Sequence, residues 1–362
     1  MSVLDAIASG QPTSGPRTVH VDVTNACNAA CITCWDHSPL LHEQRSPAWK
    51  KQRWDLAAFE ALVGDLAAMG SVKNVILSGM GDPLVHPDIL AMIARVKQHG
   101  WHLTVMTNLI AADIEPLARA CVDQFLVGVH GATPRAYAAF HPGWDEREFF
   151  TLCRYLRRLA QTPARVRHVQ VINRDTAPDF VDMVRFGASF RADRVNFKLA
   201  SLAGGTETCR ISDAQRAQLV TEAPRARALA LELGVATNLE LFVRQLEAGE
   251  DDDSATVPIE DVGCFMGHVY TRITATQDVL YCCNTEVRVG SLADAPLSAL
   301  WRGDAWQALR ARLRRGDYFA GCSRCGKFEQ NAVWSERVKR ELGDAAWRDA
   351  IGADRHKLRV LG

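Results

Sequence analysis

The chain has 362 residues, of which 48% are hydrophobic, so it holds enough apolar material for more than one core. Its 42 Lys and Arg balance 42 Asp and Glu, which gives no reason to expect a nucleic acid or an acidic membrane as partner. No stretch approaches the roughly 18 uninterrupted apolar residues of a membrane span, and residues 1–17 contain no apolar run fit for a signal peptide. We therefore expect a cytoplasmic protein with one large domain and one smaller domain.

From residue 18 onward, short β-rich runs alternate with helical patterns. This alternation predicts right-handed βαβ units and a parallel sheet. The strand candidates cover residues 18–25, 72–79, 101–108, 122–130, 165–173 and 193–201. Helical periodicity is clear over residues 54–70, 87–100, 179–190 and 211–233.

Alternation within the strands separates an apolar face from a polar one. In the sixth strand, Val195, Phe197 and Leu199 share one face, and Asn196 and Lys198 share the other. A parallel sheet covered by helices on both faces is apolar throughout, so this pattern favours a sheet curled into an open barrel with a polar interior. An ordinary α/β sandwich with a few edge strands is the alternative.

Three cysteines follow the first strand in the sequence CNAACITC, at positions 27, 31 and 34. A zinc site would require a fourth ligand from elsewhere in the chain. Three thiolates can instead hold an iron–sulfur cluster and leave one iron open to another ligand. The loop lies at the carboxyl end of a strand, where barrel enzymes place their catalytic residues.

CNAACITC after a first strand resembles the signature of the radical SAM superfamily. The resemblance implies an α/β fold, a partial (β/α)6 TIM barrel, over residues 18–240. It also implies that Cys27, Cys31 and Cys34 bind a four-iron cluster whose open iron is chelated by S-adenosylmethionine. Reductive cleavage of that cofactor would give a 5′-deoxyadenosyl radical that abstracts a hydrogen atom from the substrate. Zinc binding is the alternative.

Further positions resemble the places where this family binds its cofactor. ILSGMGDPLVHPDI (76–89) resembles the glycine-rich motif after the second strand, whose backbone receives the methionine amino group. At the fourth strand, Gly128 and His130 replace the usual polar pair. The cofactor-binding residues implied by the resemblance are Gly79, Gly81, Asp82, Asn108, His130 and Asn173.

A second group of cysteines resembles the auxiliary-cluster domain called SPASM, in its short form called twitch. Cys264 precedes a predicted β-hairpin with Gln277 at a turn position that is usually glycine, and CSRC follows a helical segment. No cysteine follows in residues 326–362, so only the short form with one four-iron cluster fits. The implied ligands are Cys264, Cys282, Cys322 and Cys325, with Cys283 as a competitor for Cys282. A zinc ribbon with the same thiolates is the alternative.

The domain organisation follows from these motifs. GEDDDSAT (249–256) indicates a solvated linker. The predicted segments are an N-terminal tail (1–17), the radical SAM partial barrel (18–240), a linker (241–263), the twitch/SPASM-like domain (264–330) and a C-terminal helical segment (331–362).

The remaining chemistry-bearing candidates are Lys198 and Cys209. Lys198 on the polar face of the sixth strand is a candidate for binding a polar substrate or the cofactor carboxylate. Cys209, in the loop after that strand, is a candidate hydrogen-atom donor, as in some family epimerases; the alternative is an ordinary loop cysteine. Cys121 and Cys153 have apolar neighbours in sequence and are interpreted as inert core thiols.

The first functional hypothesis is a radical SAM oxidoreductase acting on a small carbohydrate-like or aminocyclitol substrate. The auxiliary cluster would accept an electron from the substrate, in an arrangement that resembles 2-deoxy-scyllo-inosamine dehydrogenase. A flavodoxin- or ferredoxin-type protein would supply the electron that reduces the first cluster. Maturation of a ribosomal peptide by epimerisation or crosslinking is the second hypothesis; the short stretch before the first strand favours a small molecule. A non-enzymatic iron–sulfur or zinc module is the third.

Overall fold

The computed structural model describes residues 2–249 and 257–353. Most of the linker predicted over residues 249–256 and the end of the predicted C-terminal segment lie outside the described residues. The strands are β1 (Thr18–Thr24), β2 (Asn74–Gly79), β3 (His102–Thr107), β4 (Gln124–Gly128), β5 (Arg165–Ile172), β6 (Arg194–Leu199), β7 (Ala236–Thr237), β8 (Tyr270–Ile273), β9 (Asp278–Leu280) and β10 (Arg288–Ser291). The helices are α1 (Val3–Ser9), α2 (Pro47–Lys50), α3 (Leu56–Met69), α4 (Ile89–Gln98), α5 (Ile114–Arg119), α6 (Pro134–Phe140), α7 (Glu146–Leu159), α8 (Phe180–Ser189), α9 (Asp213–Glu232), α10 (Leu239–Glu247), α11 (Met266–Val269), α12 (Leu297–Arg302), α13 (Asp304–Arg314), α14 (Phe328–Leu342) and α15 (Asp344–Ile351).

The strands follow the order β10-β9-β8-β1-β2-β3-β4-β5-β6-β7 in one sheet that does not close on itself. The successive pairs from β3 to β7 are parallel, as is the pair β1 with β8, whereas β8, β9 and β10 pair antiparallel. The predicted α/β fold with a mostly parallel sheet is confirmed, and each of the six predicted strands is present. Contacts divide the chain into a first unit (1–21, 54–76 and 254–362) and a second unit (22–53 and 77–253).

In the second unit the predicted two-faced strands are clearest at β6. Val195, Phe197 and Leu199 are buried, whereas Asn196 is half-buried and Lys198 is exposed. The buried side packs against α8, α9 and α10, with Phe180 and Phe242 among the side chains that contact this core. Helices therefore cover one face of the strand, and the polar face is left for other contacts.

Local sequence signals set the helix ends. Asp55 caps α3 by accepting a hydrogen bond from the Ala58 N–H, and Gly70 ends the helix in the left-handed conformation. Asp145 begins α7 with a capping box completed by Glu148. Such caps satisfy backbone groups that the helix itself leaves unpaired, which is why the helical runs begin and end near the predicted positions.

In the first unit, β8 and β9 form the predicted hairpin. Gln277 lies in its turn with a φ of 66°, the left-handed conformation that glycine usually provides. Behind the hairpin, the Arg310 guanidinium donates to the Gly267 carbonyl oxygen and lies over the rings of Trp301 and Trp306. Burial of this cation is supported by these contacts.

Two of the predicted segment boundaries can be compared with the helices. The N-terminal tail contains α1, where a Ser2–Asp5 capping box begins the helix and Ile7 packs against Phe265 and Val338 in the first unit. The predicted boundary at residue 240 falls inside α10, whose Phe242 belongs to the core of the second unit. The domain boundaries themselves stay predictions.

The scattered cysteines are less buried than expected. Cys121 is exposed, and Cys153 is half-buried on α7. Apolar neighbours in sequence therefore did not predict burial of Cys121, since the residue lies beyond the end of α5 at a φ of 56°. Within the described residues, no helix is long and apolar enough to cross a bilayer.

Candidate active site and second cysteine cluster

The loop with the first three cysteines begins at a rigid point. The backbone N–H of Asn25 donates to the Gln52 carbonyl oxygen (2.9 Å), and the Asn25 side-chain amide donates to Gln52 Oε1 (3.0 Å). The Ala26 N–H donates to Thr24 Oγ1 (3.0 Å). The end of β1 is thereby tied to the segment before α3, which fixes where the cysteine loop leaves the sheet.

Backbone N–H groups point at two of the three sulfurs. Ala29 donates to Cys27 Sγ (3.4 Å), and Asp36 and His37 donate to Cys34 Sγ (3.5 and 3.3 Å). Such donors stabilise a thiolate, the form of cysteine that binds metal. Cys27, Cys31 and Cys34 all line one cavity of about 320 Å³.

The middle of the loop is held from both sides at Ile32. Its N–H donates to the Phe140 carbonyl oxygen (3.0 Å), and its own carbonyl oxygen accepts from Ser38 Oγ (2.7 Å) and Cys209 Sγ (3.8 Å). Cys209 is buried beside Ile32 and Phe140, and burial raises the pKa of its thiol. The structure therefore places Cys209 beneath the cysteine loop rather than on an exposed rim.

The glycine-rich turn after β2 approaches the cysteine loop closely. The Gly81 N–H donates to the Thr24 carbonyl oxygen (3.3 Å), and the Asp82 N–H donates to the Ala26 carbonyl oxygen (2.9 Å). A Cβ at Gly79 would lie 2.3 Å from the Thr24 carbonyl oxygen, and one at Gly81 would lie 1.8 Å from the Ala26 carbonyl oxygen. Glycine is therefore required at both positions by close backbone approach, not by an unusual φ.

Asp82 connects the ends of β2 and β3. Its carboxylate accepts hydrogen bonds from the N–H groups of Leu84 (2.9 Å) and Asn108 (2.6 Å) and from Thr107 Oγ1 (2.9 Å). Burial raises the pKa of this carboxyl to about 6, against the effect of these donors. The carboxylate is thus engaged by the protein itself, and Asp82 faces the cavity as part of a rigid turn.

The other predicted cofactor residues separate into two groups. The Asn108 side-chain amide donates to Asn28 Oδ1 (2.7 Å) in the cysteine loop, and Asn108 lines the cavity together with Gly79, Gly81, Asp82 and His130. Asn173 does not line this cavity. Its Oδ1 accepts from the N–H groups of Asp175 and Thr176 (both 2.9 Å), which forms a turn after β5.

His130 and Gly128 form a matched pair at the end of β4. The Val171 N–H donates to His130 Nδ1 (3.2 Å), so the neutral ring carries its proton on Nε2. A Cβ at position 128 would lie 2.7 Å from that Nε2, so glycine makes room for the ring. Burial holds the pKa of His130 well below its usual range, and the ring, stacked on Phe140, is a neutral N–H donor at the cavity.

Two cavity-lining histidines were missed by the sequence analysis. His141 donates from Nδ1 to the Tyr137 carbonyl oxygen (2.8 Å), which leaves Nε2 as an acceptor with no partner among the described residues; burial lowers the pKa of His141 to about 4. His37 lies three residues after Cys34, and its buried Nε2 also has no partner in the described parts of the chain. The only sequence signal for His37 is its closeness to the cysteines, and HPGW around His141 looks like an ordinary turn.

Lys198 lies on the polar face of β6, as the alternation predicted. Its Cα pairs in register with Val171 of β5, and its side chain is exposed. Lys198 and Asn196 do not line the 320 Å³ cavity. The structure therefore supports the predicted face of Lys198 without bringing it to the cysteines.

The second cysteine group lies around the β8–β9 hairpin and the turn before α14. The Asn284 N–H donates to Cys282 Sγ (3.4 Å), and the Asn331 side-chain amide donates to Cys325 Sγ (3.7 Å). Asn331 is itself held because its Oδ1 accepts from the Phe265 N–H (2.8 Å). All five cysteines, at 264, 282, 283, 322 and 325, are half-buried.

Burial and mutual proximity make most of these thiols hard to ionise without a metal. Burial, together with nearby Cys283 and Cys322, raises the pKa of Cys325 to about 11. The pKa of Cys264 is also raised, by burial and then by Cys325. Cys283 is the exception, because a hydrogen bond from the Cys282 thiol lowers its pKa.

Known families match both regions. A model of the radical SAM superfamily matches residues 21–187, and a model of the SPASM family, an iron–sulfur cluster-binding domain, matches residues 264–326. The chain belongs to the radical SAM superfamily. Its radical SAM domain binds S-adenosylmethionine and a four-iron cluster, and its SPASM domain binds an auxiliary cluster.

The residues present fit these groups. The radical SAM domain offers three thiols with N–H donors at two sulfurs, beside a glycine turn that a Cβ would fill. Within residues 2–249 and 257–353, no three His, Cys, Asp or Glu side chains are arranged as a site for a single metal ion.

Two curated relatives share parts of the chain. A probable GTP 3',8-cyclase of Thermococcus kodakarensis is 28% identical over 130 residues, which are 35% of this chain and 38% of that protein. A tungsten-containing aldehyde ferredoxin oxidoreductase cofactor-modifying protein of Pyrococcus furiosus is 25% identical over 94 residues, 25% of this chain and 24% of the relative. The matches thus span well under half of each relative.

Solved structures share the fold over most of the chain. Streptococcus suis SuiB bound to precursor peptide SuiA has a TM-score of 0.61 and 15% identity, covering 90% of this chain and 73% of that one. AnSMEcpe with bound AdoMet has a TM-score of 0.61 and 11% identity, covering 96% and 94%. At such low identity the likeness shows the radical SAM fold alone.

Proposed function

We propose that the protein is a radical SAM oxidoreductase that oxidises a small carbohydrate-like or aminocyclitol substrate by two electrons. The observation that carries this proposal is the difference between its two cysteine groups. Cys27, Cys31 and Cys34 offer three thiols at one cavity, one too few for four irons, whereas the SPASM domain holds enough thiols to close a cluster. A closed cluster is suited to accepting an electron and not to binding substrate.

When bound, the two clusters and S-adenosylmethionine supply reductive cleavage of the cofactor, hydrogen-atom abstraction and an acceptor for the remaining substrate electron. The chain positions these groups. Cys27, Cys31 and Cys34 hold the first cluster, and Cys264, Cys322 and Cys325 hold the auxiliary one, with a fourth thiol from the adjacent pair at 282 and 283.

Beside the first cluster, the turn at Gly79, Gly81 and Asp82 offers backbone groups to the cofactor. Asn108 and the His130 Nε2–H extend this polar surface along the cavity wall. His141 adds an acceptor on the same wall. A donor and an acceptor that both stay neutral fit a hydroxyl-bearing ligand without the desolvation cost of a charge.

Lys198 and Cys209 are proposed to have different roles. Lys198, on the open face of β6 with Asn196, is proposed to bind the substrate. Cys209 donates to the Ile32 carbonyl oxygen and packs in an apolar cluster, which supports a positioning role for the cysteine loop over hydrogen-atom donation. Epimerisation through Cys209 is therefore the weaker alternative.

Peptide maturation is the second candidate. The fold is shared with SuiB, whose structure is bound to a precursor peptide, and with anSMEcpe, which is bound to a peptide named Cp18Cys in one structure. That likeness is one of fold alone. The two candidate functions therefore differ in the substrate, and both begin with the same hydrogen-atom abstraction. A flavodoxin- or ferredoxin-type protein is the proposed reductant in either case.

The test is anaerobic reconstitution followed by a screen for substrate-dependent release of 5′-deoxyadenosine. A panel of sugars and aminocyclitols is compared with a panel of peptides, and each product is analysed for loss of two hydrogens. Oxidised small-molecule product supports the proposal. Release with peptides alone would establish the second candidate, and a product isomeric with the substrate would establish epimerisation.

A further inference from the structure

The auxiliary site has more thiols than a four-iron cluster has iron positions. A cluster of this type takes one thiolate per iron. The SPASM domain contains five cysteines, because Cys283 directly follows Cys282. The cysteine spacing of the SPASM family accounts for one thiol of this pair, whereas both thiols lie near the other cysteines of the auxiliary group.

The pair at 282 and 283 does not lie in a regular strand. In a regular strand, consecutive side chains point to opposite faces, but β9 ends at Leu280, before the pair. The chain then turns, with the Tyr281 N–H donating to the Val287 carbonyl oxygen (3.0 Å) and the Val287 N–H donating to the Asn284 carbonyl oxygen (3.3 Å). Within this turn the Cys282 thiol hydrogen-bonds to Cys283.

Each thiol also contacts a different part of the site. Cys282 and Cys264 both pack against the buried cluster of Met266, Val269 and Tyr270. Cys283 Sγ lies 3.4 Å from the position of a Cβ at Gly326, the residue that directly follows Cys325. Cys282 thus shares its neighbours with the first cysteine of the set, and Cys283 lies near the residue after the last.

Lys327 belongs to the surroundings of both thiols. It directly follows Gly326, the residue beside Cys283, and its ammonium lies 4.5 Å from the ring centre of Tyr270, in the cluster against which Cys282 packs. The two thiols therefore border a shared set of residues, as expected of two candidate ligands for one cluster position.

We propose that Cys283 is an interchangeable ligand of the auxiliary cluster, so that either Cys282 or Cys283 completes it. In the exchange, one iron–sulfur bond to cysteine forms as another breaks. The incoming thiol gives up its proton and the outgoing thiolate gains one, with no change in oxidation state. This inference rests on the auxiliary cluster of the proposed function.

The test compares Cys282→Ala, Cys283→Ala and the double variant, reconstituted as full-length protein. Iron and acid-labile sulfide per chain are measured, with electron paramagnetic resonance of the reduced protein. Each single variant is expected to keep both clusters, and the double variant to lose one. Cys121→Ala, at an exposed cysteine outside both groups, is the matched control.

Loss of one cluster in Cys282→Ala, with both retained in Cys283→Ala, would overturn the inference. Retention of both clusters in the double variant would overturn it as well. If Cys282→Ala does not fold, Cys282→Ser gives the same comparison with a smaller change in packing. A wild-type protein with a single cluster would instead contradict the proposed function.

Discussion

The two cysteine groups are built in opposite ways. In the loop after β1, three thiols are spaced along eight residues, and backbone N–H groups of the same loop point at Cys27 and Cys34. In the SPASM domain, five thiols come from three separate segments, and both a backbone N–H, of Asn284, and the Asn331 side chain donate to their sulfurs. Three thiols from one short loop would approach a cluster from one side and leave one iron open. Thiols from three segments would surround a cluster, and the bound cluster would link those segments.

The largest expected effect is at the open site. Cys27→Ala should remove the first cluster and abolish reductive cleavage of S-adenosylmethionine, because two thiolates do not retain a four-iron cluster with an open position. The measurement is 5′-deoxyadenosine after reduction with dithionite, together with iron content. Cleavage at the wild-type rate would show that Cys27 is not a ligand.

Loss of a ligand at the closed site should have a different result. Cys322→Ala removes a thiol with no adjacent cysteine to replace it, so the auxiliary cluster should be lost while reductive cleavage persists. Product formation should stop, and 5′-deoxyadenosine should form without product. Undiminished product formation by a protein that lacks the second cluster would contradict the electron-acceptor role. Cys121→Ala again serves as the control.

The glycine turn beside the open site should tolerate no side chain. In Gly81→Ala the new Cβ would meet the Ala26 carbonyl oxygen, so the turn must shift; we expect a loss of about 1–3 kcal/mol in stability and weaker cofactor binding. Unfolding in urea and titration with S-adenosylmethionine measure the two effects. Gly64→Ala is the control, because no atom of the described residues lies within 4 Å of a Cβ there and helix α3 should gain up to about 1 kcal/mol. Equal stability of the two variants would contradict this account of the turn.

A buried histidine in each unit should make stability fall in acid. Burial lowers the pKa of His168 to about 3, and burial with nearby Arg310 and Arg314 lowers that of His268 to about 3. The unfolded chain then binds these protons first, so stability is full above about pH 6.5 and falls below it. At pH 5.5, each histidine should cost about 1.4 kcal/mol relative to pH 7.5.

The measurement is urea unfolding of His168→Gln and His268→Gln at both pH values. Each variant should show a smaller acid-dependent loss than the wild type. Salt should reduce the effect at His268 more than at His168, because only His268 has charged neighbours among the causes of its shift. An unchanged pH dependence in His168→Gln would contradict its burial as a neutral ring.

The smallest effect is expected in the hairpin of the SPASM domain. Gln277→Gly removes the strain of a left-handed residue but adds freedom to the unfolded chain, so we expect a gain of no more than about 1 kcal/mol. The unfolding midpoint measures it, and iron content should not change. A clear loss of stability would show that the Gln277 side chain contributes contacts that outweigh the strain.

The sequence predicted the strands and the two family regions well, since both depend on local patterns. Alternation at Val195, Phe197 and Leu199 and the spacing of CNAACITC were sufficient for the fold and the superfamily, whereas the cluster ligands stay predictions. The predicted role of Asp82 was less complete, because only the folded chain brings Thr107 and the Asn108 N–H to its carboxylate. His37 and His141 were missed for the same reason, since the cavity that they line is built from segments far apart in sequence.

The packing of Gly128 against His130 limits which substitutions the site can accept. The imidazole ring occupies the space in which a side chain at 128 would begin. The two positions are therefore epistatic: Gly128→Ser in the presence of His130 should damage the site, whereas the same substitution beside a smaller residue at 130 should be tolerated. A double-mutant cycle with His130→Ala would measure that coupling, and the pair would be expected to change together or not at all.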